Sequence, residues 1–120
     1  MVSLHYYVID VFTDRAFGGN PLAVVFCFET DAPDVQIHAR MFAPAFGIVE
    51  DPATGAAASA LAGLLAHPQP DGHYAWVIEQ GFEMGRPSRI ALECDKRNGT
   101  IRAVCVGGPS VHIAEGVLLL

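Results

Sequence analysis

The residues best placed to do chemistry form a short acidic turn, Asp51-Pro52-Ala53-Thr54-Gly55, which opens a run rich in alanine. Aspartate and proline are favoured at the start of a helix, because a carboxylate accepts hydrogen bonds from unpaired amides and proline has no N–H to leave unpaired. Thr54 is a second candidate for the capping position. Gly55 and Ala56 have little or no side chain, so a carboxylate or phosphate can reach their backbone N–H groups at the positive end of the helix dipole. The turn therefore predicts a small-anion site, although a purely structural cap would use the same residues.

Other polar residues carry weaker signals. Arg86 and Ser88 either clamp an anion, since arginine binds carboxylates and phosphates in a bidentate manner, or belong to a turn in which Arg86 is solvated. The five histidines and three cysteines lack the spacing of metal ligands or of a CxxC site, so no metal site is expected. Ser59 has no Gly-x-Ser-x-Gly elbow around it, and hydrolase chemistry is not indicated.

These candidate residues need a scaffold, which hydrophobic periodicity predicts. Residues 56–66 are rich in Ala and Leu, which favours a helix, and because the run is apolar all round we expect it to be buried. Residues 47–55 are expected to form a loop. Residues 35–42 alternate apolar and polar side chains, as a half-buried strand does, and the strand is expected to stop at Pro44. Further β-prone runs cover residues 4–12, 22–28, 74–80, 89–94, 100–106 and 111–120. The pattern predicts an α+β fold of about seven strands around one central helix.

Composition restricts the class of protein. With 120 residues, of which 52% are hydrophobic and 17% charged, the chain is expected to fold as a single domain over residues 1–120. The net charge of −6 and the lack of clustered Lys and Arg argue against nucleic acid as a partner. The longest weakly polar stretch, residues 53–66, is too short to cross a bilayer, so no membrane span is expected. An odd number of cysteines and a start that does not resemble a signal peptide favour a reducing, cytoplasmic location.

Several separated motifs occur together in a characteristic order. They include Gly19-Asn20-Pro21 in residues 7–25, Asp51-Pro52-Ala53-Thr54-Gly55-Ala56-Ala57 after Met41-Phe42-Ala43-Pro44, Met84-Gly85-Arg86-Pro87-Ser88 after Gln80-Gly81, and the stretch of residues 106–116. In these motifs the chain resembles the PhzF-like family of phenazine biosynthesis. The resemblance is specific, because it rests on several motifs rather than on one glycine-rich turn.

The resemblance implies a relative of diaminopimelate epimerase, with two similar lobes, each a curved, mostly antiparallel sheet wrapped around a central helix, and the active site between them. It implies isomerisation or epimerisation of small carboxylated substrates by proton shifts, without a metal or organic cofactor. Asp51 becomes the candidate catalytic residue, since the matching aspartate lines the family's site. The candidate substrate-binding residues are Gly55, Ala56, Thr54, Gly19 and Asn20, although Gly19-Asn20-Pro21 also fits an ordinary turn.

The chain departs from the family's plan in its first lobe. The family's Ser-Glu-Thr-like stretch with the catalytic glutamate, and its Gly-His-Pro-like loop, have no counterpart here. Residues 1–28 resemble the opening hairpin of the first lobe and residues 35–120 resemble the second lobe, so that together they can form one nearly complete lobe. Ala56 stands where the family often has a small hydroxyl residue. Two functions stay open: an isomerase whose cleft lies between the two copies of a homodimer, and a catalytically inactive module that binds a small anion or another protein.

Overall fold

The computed structural model describes residues 6–11, 13–27 and 30–119. The strands and helices follow in the order β1 (Tyr6–Val11), β2 (Asn20–Cys27), β3 (Ile37–Ala43), a 3₁₀ turn (Pro44–Phe46), β4 (Ile48–Asp51), α1 (Gly55–Ala66), β5 (Gly72–Gln80), β6 (Ser88–Arg97) and β7 (Thr100–Gly107).

All seven strands belong to one sheet in the order β1-β2-β3-β5-β6-β7, with β4 also paired to β3. Every pairing is antiparallel except that of β3 with β5, which is parallel. Parallel neighbours need a crossover connection, and the segment with β4 and α1 provides it. Strand β3 thus pairs with β5 through its first half, Ile37–Ala39, and with β4 through Met41 and Ala43.

Helix α1 lies inside the curve of this sheet. It contacts β6 and β7 near one edge of the sheet and β1 at the opposite edge, so the sheet bends around it. The helix buries mainly alanines, whose small side chains let the strands approach closely, and Leu61 adds the largest buried side chain on the helix. Strand β3 alternates buried and half-buried residues, and its Ile37 packs in the same core cluster as Leu92. The predicted α+β fold, a curved and mostly antiparallel sheet around one central helix, is confirmed.

Two local predictions are wrong. Residues 47–55 were expected to be a loop, yet Ile48–Asp51 form β4; the strand is short and its first residues are exposed, so it lacks the alternation that marks a strand in a sequence. Residues 111–119 form no strand, and Val111 and Ile113 are exposed, because β propensity produces a strand only where a neighbour is available to pair. Residues 4–5, 12, 28 and 120 of the predicted strands lie outside the described residues.

The far end of α1 is closed by a lysine from the sheet. Lys96 of β6 is 7% exposed, and its Nζ donates hydrogen bonds to the backbone oxygens of Ala66 at 3.2 Å, His67 at 2.5 Å and Gln69 at 2.7 Å. These carbonyls lie at the negative end of the helix dipole, which a cation stabilises. The C-terminal end of α1 is therefore satisfied from within the fold. No helix in the described part of the chain has the length and hydropathy needed to cross a membrane.

Candidate anion site at the helix N-terminus

The segment Asp51–Thr54 leads from β4 into α1 beside the end of β5. Asp51, the last residue of β4, pairs with Met41 of β3, while Gln80, the last residue of β5, pairs with Ala39 two residues earlier on the same strand. The ends of β4 and β5 therefore lie next to each other along β3. This register brings Gln80 against the segment that starts the helix.

Gln80 ties that segment to the sheet through one buried side chain. It is 2% exposed, and its Nε2 donates to the backbone oxygen of Asp51 at 2.7 Å and to Thr54 Oγ1 at 2.9 Å. Its Oε1 accepts from the backbone N–H of Thr54 at 3.4 Å. Both amide protons and the carbonyl of Gln80 are thus used on the same four-residue segment.

Pro52 is held by residues on either side of the turn between β5 and β6. Ser88 Oγ donates to the Pro52 carbonyl oxygen at 2.7 Å. Gly81 has φ +78°, and a Cβ at this position would lie 2.9 Å from the Cα of Pro52 and 2.4 Å from the carbonyl oxygen of Arg86. Only glycine allows this approach, because L side chains are strained at positive φ and the space is already filled. Arg86 itself is exposed in the turn, as one of its two interpretations predicted.

The first turn of α1 leaves its backbone donors open. Thr54 occupies the N-cap position with an extended backbone, but its side chain makes no capping bond; its Oγ1 instead donates to Asp51 Oδ2 at 2.6 Å. The first intrahelical bond runs from Ala58 N to Thr54 O at 3.1 Å. Among the described residues, no acceptor meets the N–H groups of Gly55, Ala56 and Ala57. These are the orphan donors that make a helix N-terminus attractive to anions.

An open cleft lies beside these donors. Its volume is about 500 Å³, and Gly55 lines it on the helix side. The other walls come from the residue before the helix, the start of β6, the end of β7 and the segment after it, namely Ala53, Pro87, Ser88, Arg89, Ile90, Val106, Gly107, Gly108, Pro109 and Val111. The one charged side chain in this lining, Arg89, forms a bidentate pair with Asp34, with N–O distances of 2.7 and 2.8 Å.

The predicted site residues have different positions relative to this cleft. Gly55 lines it, and Ala56 is partly exposed in the next position of the helix. Thr54 is 7% exposed and its hydroxyl is engaged with Asp51. Asp51 is partly exposed and, within the described part of the chain, its Oδ1 has no hydrogen-bond partner. Asp51 does not occupy the cap position that one interpretation assigned to it.

Gly19 and Asn20 lie away from this group, at the turn between β1 and β2. Gly19 has φ +62°, which suits a glycine in a turn, and Asn20 begins β2 opposite Val11. Within the described part of the chain, Gly19 does not line the cleft, and no hydrogen bond joins it to the start of α1. Their substrate-binding role stays a prediction.

A second polar cluster lies on the other face of the sheet. His38 of β3 points away from the core, and its ring bridges two carboxylates, with Nδ1 2.9 Å from Glu79 Oε1 and Nε2 2.7 Å from Glu83 Oε1. Next to it, Arg40 forms a bidentate pair with Glu50 at 2.8 and 3.0 Å. A cavity of about 710 Å³ adjoins His38 and Glu79. None of the described residues forms a group of His, Cys, Asp or Glu placed to hold a metal ion.

The two carboxylates control the charge of His38. Burial lowers the pKa of the imidazole, but the hydrogen bonds to Glu79 and Glu83 together raise it by more, so the pKa of His38 lies above its ordinary value of 6.5. The bond between His38 and Glu83 also shifts the pKa of Glu83. Burial raises the pKa of this carboxyl, but the hydrogen bond to His38 and the nearby positive charges lower it by more, so the pKa lies below its ordinary value. The ion pair between His38 and Glu83 connects strand β3 to the turn after β5.

We expect the His38 bridge to make stability depend on pH. Because the pKa of His38 is higher in the folded protein than the ordinary 6.5, its stabilising contribution is fully present below pH 6.5 and is lost as the pH rises through the folded value. The difference in unfolding free energy between wild type and His38→Gln should therefore be largest near pH 6 and shrink toward about pH 9, measured by urea unfolding. His112→Gln, at an exposed position, serves as the control. A difference that stays constant or grows with pH contradicts the account.

The packing at Pro52 predicts unequal costs for two glycines of one turn. Gly81→Ala should destabilise the protein by about 3 kcal/mol or more, because the methyl group meets the backbone of Pro52 and Arg86 at an unfavourable φ. Gly85→Ala should cost only about 1 kcal/mol, since Gly85 has a similar φ of +72° but open space around it. Denaturant unfolding of both variants measures the difference. Equal losses would mean that the contact with Pro52 is unimportant.

With the geometry described, the chain can be compared with known proteins. The family model for phenazine biosynthesis-like proteins, PhzC-PhzF, matches residues 26–116. The chain is 44% identical over 98 residues to an uncharacterized isomerase of Mesorhizobium japonicum, covering 80% of this chain and 32% of that protein. It is 46% identical over 98 residues to the trans-2,3-dihydro-3-hydroxyanthranilate isomerase of Pseudomonas aeruginosa, covering 72% of this chain and 35% of that protein.

A solved structure agrees with the sequence relatives. The Bacillus anthracis phenazine biosynthesis protein of the PhzF family superposes with a TM-score of 0.62 at 26% identity, over 71% of this chain and 30% of that one. The chain thus spans about a third of the length of the relatives it matches. By the family match across most of its length, and by the fold it shares with this structure, the chain belongs to the PhzF family of phenazine biosynthesis-like proteins, whose matched relatives are isomerases.

Proposed function

We propose that this chain is an isomerase-like protein that binds the carboxylate of a small metabolite at the N-terminus of α1 and, as a homodimer, catalyses a proton shift without a cofactor. The observation that carries the proposal is the set of open amides at Gly55 and Ala56 beside a cleft, in a chain whose relatives are isomerases. One of these relatives is named for a carboxylated substrate, trans-2,3-dihydro-3-hydroxyanthranilate.

Backbone donors rather than basic side chains would recognise the carboxylate. The chain carries a net charge of −6, and Arg89, the charged residue in the cleft lining, is already paired with Asp34. Binding an anion therefore depends on the amides and on the helix dipole, which together favour negative charge at this end. Ile90 and Val106 add apolar surface to the wall of the cleft beside these amides.

Asp51 is the proposed proton carrier. Its Oδ2 is occupied by the Thr54 hydroxyl, while Oδ1 faces no partner among the described residues. In the proposed reaction Asp51 takes a proton from one carbon of the substrate, the double bond moves, and the proton is returned to another carbon, so that no electrons are gained or lost. The carboxylate held at the helix tip keeps the substrate in place while negative charge develops on it.

A second copy of the chain would complete the cleft. Strand β7 is an edge strand of eight residues, and no described strand pairs with its outer side. It exposes the apolar residues Val104 and Val106, and Val106 also lines the cleft, which continues to the exposed Val111. An open edge with apolar side chains favours pairing with another strand, and a two-fold axis lets the same surface serve both copies. Sedimentation that gives a monomer mass at every protein concentration would contradict this arrangement.

The second candidate function is a catalytically inactive module that binds a small anion or another protein. It is favoured by the sequence between the opening hairpin and residue 35, which has no counterpart of the glutamate segment that the family resemblance implies. The helix tip and its cleft would then bind the ligand, and no proton would move.

Deuterium exchange separates these two functions. The chain is incubated in D₂O with trans-2,3-dihydro-3-hydroxyanthranilate, and deuterium entry into the ring carbons is followed by NMR. We expect exchange by the wild type and a loss of about a hundredfold or more in Asp51→Asn, because general acid and base groups contribute at least this much. Glu50→Gln is the matched control, since Glu50 is the neighbouring carboxylate and is paired with Arg40.

Each result of this experiment has a separate meaning. Binding of the metabolite without exchange would favour the inactive module over the isomerase. Exchange that persists in Asp51→Asn would exclude Asp51 as the proton carrier. A wild-type chain that neither binds nor exchanges the metabolite would refute both functions of this site.

A further inference from the structure

Thr54 stands at the N-cap of α1 without capping it, and the first amides of the helix have no acceptor among the described residues. A threonine at an N-cap normally turns its hydroxyl oxygen toward the second or third amide of the helix and satisfies it. Thr54 stands at this position with the required extended backbone, φ −117° and ψ 91°, yet makes no such bond. Something else must therefore hold its hydroxyl.

Two partners hold the Thr54 hydroxyl, and their chemistry fixes the direction of each hydrogen bond. Gln80 Nε2 donates to Oγ1 at 2.9 Å, so the hydroxyl proton is left for Asp51 Oδ2 at 2.6 Å. The amide of Gln80 cannot be turned over, because its oxygen would then face the carbonyl of Asp51 and its nitrogen would face the N–H of Thr54. The hydrogen bonds thus run in one direction: Gln80 donates to Thr54, and Thr54 donates to Asp51.

We propose that Gln80 and Thr54 are positioning residues: they hold the Asp51 carboxylate with one oxygen engaged and keep the Thr54 side chain from capping its own helix. This inference rests on the proposed function. Thr54 acts through Asp51 and through the amides it leaves open. Gln80 lies 26 residues from Thr54 in the sequence. Its hydrogen bond to the Thr54 hydroxyl leaves the first amides of α1 available to a ligand.

The proposal predicts an unusual pattern in a double-mutant cycle. In Gln80→Leu the Thr54 hydroxyl oxygen loses the bond from Nε2 and becomes free to accept from the first amides of the helix while it still donates to Asp51, so the affinity for benzoate, the carboxylate probe, should fall by about fivefold or more. In Thr54→Val there is no hydroxyl to cap, and benzoate affinity should stay within about twofold of the wild type. The double variant Gln80→Leu/Thr54→Val should bind benzoate about as well as Thr54→Val alone. A purely structural role would make the double variant at least as weak as Gln80→Leu, and that result would overturn the proposal.

Two further measurements keep the proposal testable if Gln80→Leu does not fold or benzoate does not bind. With Thr54→Val and Thr54→Ser alone, benzoate affinity should be kept in both, while substrate deuterium exchange should fall only in Thr54→Val, because serine keeps the bond to Asp51. A loss of benzoate affinity of about tenfold in Thr54→Val would show that the hydroxyl contacts the ligand and would overturn the proposal.

The second measurement needs no ligand. Amide hydrogen exchange at Ala56 and Ala57, compared with the wild type, should slow in Gln80→Leu as the hydroxyl caps them, and should not slow in the double variant. If the wild type binds no benzoate, this measurement still decides the positioning role, and the deuterium-exchange experiment with trans-2,3-dihydro-3-hydroxyanthranilate decides the proposed function. Unchanged exchange in a folded Gln80→Leu would overturn it.

Discussion

The structure depends on a difference in hydrogen bonding between the two ends of helix α1. The backbone groups at the C-terminal end have partners within the fold, whereas in the described part of the chain the first amides at the N-terminal end have none. At the C-terminal end the carbonyl groups of α1 are satisfied by the buried Lys96 of β6. At the N-terminal end the side chain best placed to satisfy the amides, Thr54, is held by Asp51 and Gln80. The first amides of any helix have no partner within the helix, and here Gly55 lies next to an open cleft. The proposed anion would supply acceptors for these donors.

The sheet makes this arrangement possible through its one parallel pairing. Strands β4 and β5 both pair with the same side of β3, so their last residues, Asp51 and Gln80, lie close together. The side chain of Gln80 therefore reaches the segment that leads into α1. The turn after β5 adds to this hold, with Gly81 and Ser88 against Pro52. Leaving helix amides open costs stability that a cap would provide, and several polar contacts from the sheet offset this cost by fixing the segment. A bound anion would stabilise the folded state further in proportion to its affinity and concentration.

Much of the fold could be predicted from the sequence because it follows local patterns. The Ala- and Leu-rich run predicted α1 to within one residue of its start, and the alternation in residues 35–42 predicted β3. Strand β4 was missed because it is only four residues long and depends on pairing with β3 rather than on its own periodicity. The β propensity of residues 111–119 had the opposite result, since no partner strand lies beside them in the described residues.

The candidate site was only partly predictable. The small residues Gly55 and Ala56 at a helix start are a local signal, and the cleft lies where that signal pointed. The roles of Gln80 and Ser88 depend on contacts across 26 and 36 residues, which spacing within a motif cannot reveal. The partners of Thr54 could not be predicted for the same reason: a hydroxyl can donate and accept, and only the surrounding fold decides which partners it takes.

The amides of the first turn of α1 are proposed to bind a carboxylate. Titration of the ¹⁵N-labelled chain with benzoate, followed by ¹H–¹⁵N NMR, tests it most directly. We expect saturable shifts of the Gly55 and Ala56 amide signals and none at Gly63, whose position in the same helix is away from the cleft lining. Gly55 and Ala56 signals that do not move, or that move no more than that of Gly63, would contradict it.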